Sequence, residues 1–126
     1  MSPDTYDVAV AKALRRLMPG VSIDVEARRS RLLVDFEVEI PGDPQPLLVE
    51  TKWRGDPRVP YRGSTLKPLV ETLGTAVRLL VVINSLESAI GFDEESVDLP
   101  SFAVVGWLDE EDDPALEAAL KRVLNA

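Results

Sequence analysis

The chain has 126 residues, 45% hydrophobic and 29% charged, the size and balance of one globular domain with a single core. It contains no cysteine and no histidine, which excludes disulfides, zinc-thiolate and iron-sulfur sites, thiol nucleophiles, Ser-His-Asp triads and imidazole-liganded metals. The formal net charge of −8 opposes unaided binding to a nucleic acid duplex, but the acidity belongs to residues 79–126, whose only basic residues are Lys121 and Arg122.

From Asp4, the apolar positions Val8, Ala11, Leu14, Leu17 and Met18 recur at helical spacing. With Asp4 as N-cap and Pro19-Gly20 as the stop, they predict an opening amphipathic helix. This stretch is charged every few residues, unlike a signal peptide, and no apolar run approaches the ~18 residues of a membrane span. A soluble, cytoplasmic protein without a membrane partner is expected. VSIDVEA (21–27) alternates as a strand, RRSR (28–31) reads as a tight turn, and RLLVDFEVEI (31–40) alternates as a second strand. PGDPQP (41–46) has the composition of a turn and leads into a third strand, PLLVETKW (46–53).

RGDPRVPYRGS (54–64) reads as a loop, after which Leu66, Leu69, Val70, Leu73 and Val77 mark one face of a second helix with Pro68 in its first turn. LLVVIN (79–84) suits a central strand buried on both faces. SLESAIGFDEESVDLP (85–100) is expected to hold a short helix and an acidic loop, and SFAVVGWL (101–108) a further strand. DPALEAALKRVLNA (113–126) opens on an Asp-Pro helix start and closes the chain as an amphipathic helix. The expected product is one α/β domain over residues 1–126.

Three charges sit where strands favour Val and Ile. Alternation puts Leu33, Asp35, Glu37 and Glu39 on one face of the second strand, opposite an apolar face of Leu32, Val34, Phe36, Val38 and Ile40 that forms the core. Leu48, Glu50 and Lys52 share a face of the third strand, opposite Leu47, Val49, Thr51 and Trp53. Antiparallel pairing through the 41–46 turn brings Asp35 beside Glu50, with Lys52 one step along. Two adjacent carboxylates gain from a shared divalent cation. A neighbouring lysine can orient the attacking water and stabilise a phosphorane-like transition state. Phosphodiester hydrolysis by a metal-activated water therefore needs neither His nor Cys, and oxygen ligands alone point to Mg2+, with Mn2+ as a substitute. A lone Glu-x-Lys is also an ordinary pattern for a solvated strand face, which is the expectation for Glu37 and Glu39.

VDF followed by LLVETK, each on a hydrophobic strand, after one helix and before a second helix and an apolar strand, resembles the PD-(D/E)XK nuclease superfamily over residues 4–84. The resemblance implies a restriction-endonuclease-like αβββαβ core, a mixed central sheet flanked by helices, here with an added C-terminal strand and helix. It implies Asp35 and Glu50 as catalytic, metal-ligating acids, Lys52 as the catalytic lysine, Mg2+ or Mn2+ as cofactor, and DNA in preference to RNA as substrate. Val34 stands in place of the Pro of the family motif, as in many members. Many members also carry an acid on the first helix near the metals; Asp7 is the candidate here, since Asp4 reads as a cap. The second helix lacks the Gln-x-x-x-Tyr pattern of some subgroups, so no subfamily is assigned.

Lys52, Arg54, Arg58, Arg62 and Lys67, set against Asp56 alone, make residues 52–67 basic. Arg54, Arg58, Arg62 and Lys67 are candidates for gripping the phosphate backbone and Tyr61 for stacking on a base; an ordinary solvated loop accounts for the same composition. Trp53 alternates onto the core face as a packing residue. FDEESVD and LDEEDD lack the spacing of calcium loops and read as solvated acidic loops. A domain this small and acidic is expected to work on DNA as a homodimer or with a partner protein subunit. The alternative is a non-catalytic restriction-endonuclease-like module, a protein-interaction or scaffold subunit of a larger complex.

Overall fold

A computed structural model describes residues 3–25, 28–29, 32–33, 35–53, 78–85 and 101–125. Helix α1 (Pro3–Leu17) ends just before Pro19 and Gly20, the latter at a φ of +89° that favours glycine. Asp4, expected as the N-cap, lies inside the first turn, where its carboxylate still complements the positive end of the helix dipole. The inward stripe is Tyr6, Val10, Ala13 and Leu14, with Ala11 beside it, whereas Val8 is 55% exposed. Polarity alone hides Tyr6 from an apolar pattern. Its ring is nonetheless buried, and its hydroxyl donates to the carbonyl of Trp107 at 2.7 Å.

The strands are β1 (Ser22–Val25), β2 (Arg28–Arg29), β3 (Leu32–Leu33), β4 (Phe36–Glu39), β5 (Leu47–Lys52), β6 (Arg78–Ile83) and β7 (Phe102–Gly106). Five of them form one mixed sheet in the order β1-β4-β5-β6-β7, antiparallel from β1 to β5 and parallel from β5 to β7. The expected unbroken strand over 31–40 is not one strand. It bends at Asp35, and β3 pairs instead with β2 in a separate two-stranded ribbon, which also draws Arg28 and Arg29 out of their expected turn. The physical reason is at Asp35 itself, whose side chain accepts the Thr51 N–H at 2.7 Å and so takes the place of a backbone partner at that end of β4.

Helix α1 and the closing helix α2 (Asp113–Leu124) pack on the sheet face formed by Phe36, Val38, Leu47, Val49, Leu80 and Val82. Leu48, Leu79, Val81, Ile83 and Phe102, on the other face, are buried as well, as expected of a central apolar strand and its neighbours. LDEEDD, expected as a solvated loop, is an ordered lead-in to α2 built on a 3-10 turn (Glu110–Asp112). Asp109 accepts the Glu111 N–H at 2.9 Å and Asp112 the Leu108 N–H at 2.8 Å. Asp113 takes two bonds from Arg16 of α1, at 2.8 and 3.0 Å, and one from Trp107 Nε1 at 2.9 Å. Short acidic side chains satisfy backbone donors as helix starts and turns require.

This α/β architecture, a five-stranded mixed sheet with flanking helices and an extra C-terminal strand and helix, agrees with the expected restriction-endonuclease-like arrangement. The expected second helix and basic segment within 54–77, and the segment 86–100, lie outside the described residues. No helix among the described residues is long and apolar enough to cross a membrane. Tyr6→Phe is expected to cost about 1–3 kcal/mol, because it strands a buried carbonyl. Urea unfolding at unchanged m-value checks this, and an unaltered midpoint would contradict it.

Candidate active site

Strand register builds the site. Phe36 pairs with Val49 and Glu37 with Leu48, which ends the ladder one residue short of Asp35; from its bend, Asp35 reaches Glu50 by a side-chain hydrogen bond. Glu50 and Lys52 lie on one face of β5, with Lys52 Nζ 3.9 Å from Glu50 Oε1. The bend at Asp35 lets its carboxylate reach Thr51, accepting from both the N–H, at 2.7 Å, and Oγ1, at 3.1 Å. On the α1 side, Thr51 Oγ1 also contacts Asp7 Oδ1 at 2.5 Å. Asp7, Asp35, Glu50 and Lys52 thus meet at the end of β5 through a continuous chain of contacts.

Glu50 is only 8% exposed. Burial, followed by its hydrogen bond with Asp35 and the Asp35 charge, pushes its carboxyl up to about 8, and Lys52 only partly offsets this. Below that pH Glu50 holds a proton and donates it to Asp35. The 3.9 Å contact with Lys52 is therefore not a full ion pair at neutral pH, since desolvation of Glu50 outweighs the attraction.

Thr51 is the participant that alternation passes over. Its place on the face of Leu47 and Val49 assigns it to packing, and the available signal is a hydroxyl-bearing residue on that otherwise apolar face at the end of the strand nearest α1. Trp53 on the same face is half-buried and packs on Tyr6, ring centroids 5.4 Å apart, consistent with a packing role. Glu39 is exposed and Glu37 half-buried; both line a cleft at the far end of β4, with Asp43. Asp43 is held by Arg78 at 2.6 Å, a bond that lowers its pKa, and the cleft takes in none of the four site residues. Arg54, Arg58, Tyr61, Arg62 and Lys67 lie outside the described residues.

Among the described residues no three carboxylates are set around one point as a metal cage, and no buried polar side-chain atom lacks a partner. The donor set nevertheless fits a hard cation. Its side-chain donors are oxygen only, and the Asp35 charge beside Glu50 is one of the causes that raise the Glu50 pKa, a repulsion that a divalent ion would offset.

The sequence matches no protein-family model and no curated protein. Among solved structures, that of SfsA from Pyrococcus furiosus in complex with Ca2+ aligns with 97% of this chain and 51% of that one, at 19% identity and a TM-score of 0.44. This chain spans about half the length of that protein.

Proposed function

We propose that the protein is a divalent-metal-dependent nuclease that hydrolyses phosphodiester bonds, in DNA rather than RNA, at the end of β5. The observation that carries this reading is the convergence at Glu50, which hydrogen-bonds Asp35 while Lys52 stands 3.9 Å away on the same strand face. Asp35 and Glu50 would hold Mg2+ or Mn2+; Asp7, held against Thr51 Oγ1, does not complete a three-carboxylate group with them among the described residues. When bound, the ion would polarise a phosphoryl oxygen and lower the pKa of a water nucleophile. Lys52, partly exposed, presents Nζ–H donors to a phosphoryl oxygen or to the attacking water. Arg54, Arg58, Arg62 and Lys67 would grip the backbone and Tyr61 a base, and a second copy or a partner subunit would complete the DNA-binding surface.

Glu50 must release its proton to act as a ligand. Mn2+ affinity should therefore rise about tenfold per pH unit up to about 8 and level off above it. Calorimetric titration with Mn2+ from pH 6 to 9 checks this; an affinity independent of pH contradicts the assignment of Glu50. A second reading, a non-catalytic interaction module, is favoured by the net charge of −8. It predicts no Mn2+ binding and a co-purifying protein partner. DNA cleavage abolished by Asp35→Ala would rule it out.

A further inference from the structure

We infer that the ribbon of β2 and β3 is a DNA-binding arm, whose arginines hold the phosphate backbone of a duplex beside the site at the end of β5. The inference rests on the nuclease reading. Pairing steps inward from Ser22 with Glu39 to Val25 with Phe36 and, three residues further on each strand, resumes as Arg28 with Leu33 and Arg29 with Leu32. The ribbon is thus the β1–β4 hairpin continued in the same register. Pairing between β4 and β5 ends at Phe36, and beyond it Glu50, Thr51 and Lys52 of β5 pair with β6 on the other side. Among the described residues the hairpin therefore leaves the five-stranded sheet at Asp35 and runs on as two strands.

The hairpin parts from the sheet where positive charge is needed. Asp35 sits at the fork between the ribbon and β5, bonded to Thr51, with Asp7 and Glu50 close by. Carboxylates repel an approaching phosphate chain unless cations flank its path. The ribbon supplies them, since Arg28, Arg29 and Arg31 fall within four consecutive residues of a chain whose net charge is −8. The partners of Arg28 and Arg29, Leu33 and Leu32, stand two and three positions before Asp35. At ~3.3 Å per residue these positions are about 7 and 10 Å along the strand, or two to three nucleotides at ~3.4 Å each. A two-stranded ribbon also has the width that the major groove of a duplex admits, and a guanidinium matches the geometry of a phosphate.

The test is binding of a fluorescently labelled DNA duplex, read by anisotropy in EDTA over a series of KCl concentrations, with thermal melts as the check on folding. Wild type is compared with Arg28→Ala/Arg29→Ala and with Arg28→Lys/Arg29→Lys. Each phosphate contact contributes about 0.9 to the slope of log K against log[KCl], so the alanine variant should lose about 2 from it. At ~0.1 M salt the same variant should bind roughly 50- to 100-fold more weakly. The lysine variant keeps both charges and should keep the wild-type slope. Wild-type affinity and slope in the alanine variant overturn the inference and leave the nuclease reading standing, and absence of wild-type binding overturns it too. Binding that depends on both arginines, in a protein that cuts no DNA with Mg2+ or Mn2+, supports the arm and overturns the nuclease reading. Should the alanine variant fail to fold, Arg28→Gln/Arg29→Gln, which keeps length and polarity, is read by the same two outcomes.

Discussion

Glu50→Gln is expected to stabilise the protein by about 3 kcal/mol at pH 7 and, at the same time, to reduce metal-dependent cleavage on the order of 1,000-fold. Burial and Asp35 raise the Glu50 pKa from an ordinary 4.5 to about 8, so the folded chain takes up a proton that the unfolded chain releases between those values. The stability tied to this group is fully present below about pH 4.5. It falls by about 1.4 kcal/mol per unit as pH rises, until the folded carboxyl ionises near pH 8. Glutamine keeps the shape and a donor toward Asp35 but never ionises, so the variant escapes this loss. The same substitution deletes the charge that a cation needs. Thermal melts between pH 4 and 8 should show the two proteins converging in acid and diverging toward neutrality; parallel curves would contradict the buried, protonated Glu50.

Lys52→Ala is expected to lower kcat about 100- to 10,000-fold while the protein stays folded and binds Mn2+. Lys52 is partly exposed and its contact with Glu50 is long, at 3.9 Å, so its removal disturbs little packing. In the proposed reaction its value lies in a donor held beside the carboxylates, where charge would develop during phosphodiester cleavage. Lys52→Arg should not restore the rate, because a planar guanidinium cannot put a compact point charge in the same place. A Lys52→Ala enzyme with wild-type kcat would remove the lysine from the chemistry.

Much of the site is legible from strand period and one short turn. A slip of one residue would flip every side chain, so the apolar face of Phe36 and Val38 and that of Leu47 and Val49 together fix the β4–β5 ladder that ends beside Asp35 and Glu50. Lys52 then follows two residues on. What alternation does not yield is the break at Asp35, because a carboxylate capturing the Thr51 N–H is a tertiary event with no period. Thr51 is missed for the complementary reason: alternation gives it a face but not the acid waiting on that face. On α1, counting Val8 and not Tyr6 rotates the predicted stripe, since a phenol buries its ring wherever its hydroxyl finds a carbonyl. LDEEDD reads as solvated by charge density, yet Asp109, Asp112 and Asp113 are occupied by backbone and side-chain donors.

The most direct measurement is cleavage of single- and double-stranded DNA and of RNA by wild type and Lys52→Ala, each with Mg2+, Mn2+ and EDTA. Asp35, Glu50 and Lys52 acting together as a nuclease site predict cutting by wild type with either metal, none in EDTA, and loss of cutting in the variant. Silence of the wild type on every substrate, or equal cutting by Lys52→Ala, would contradict it.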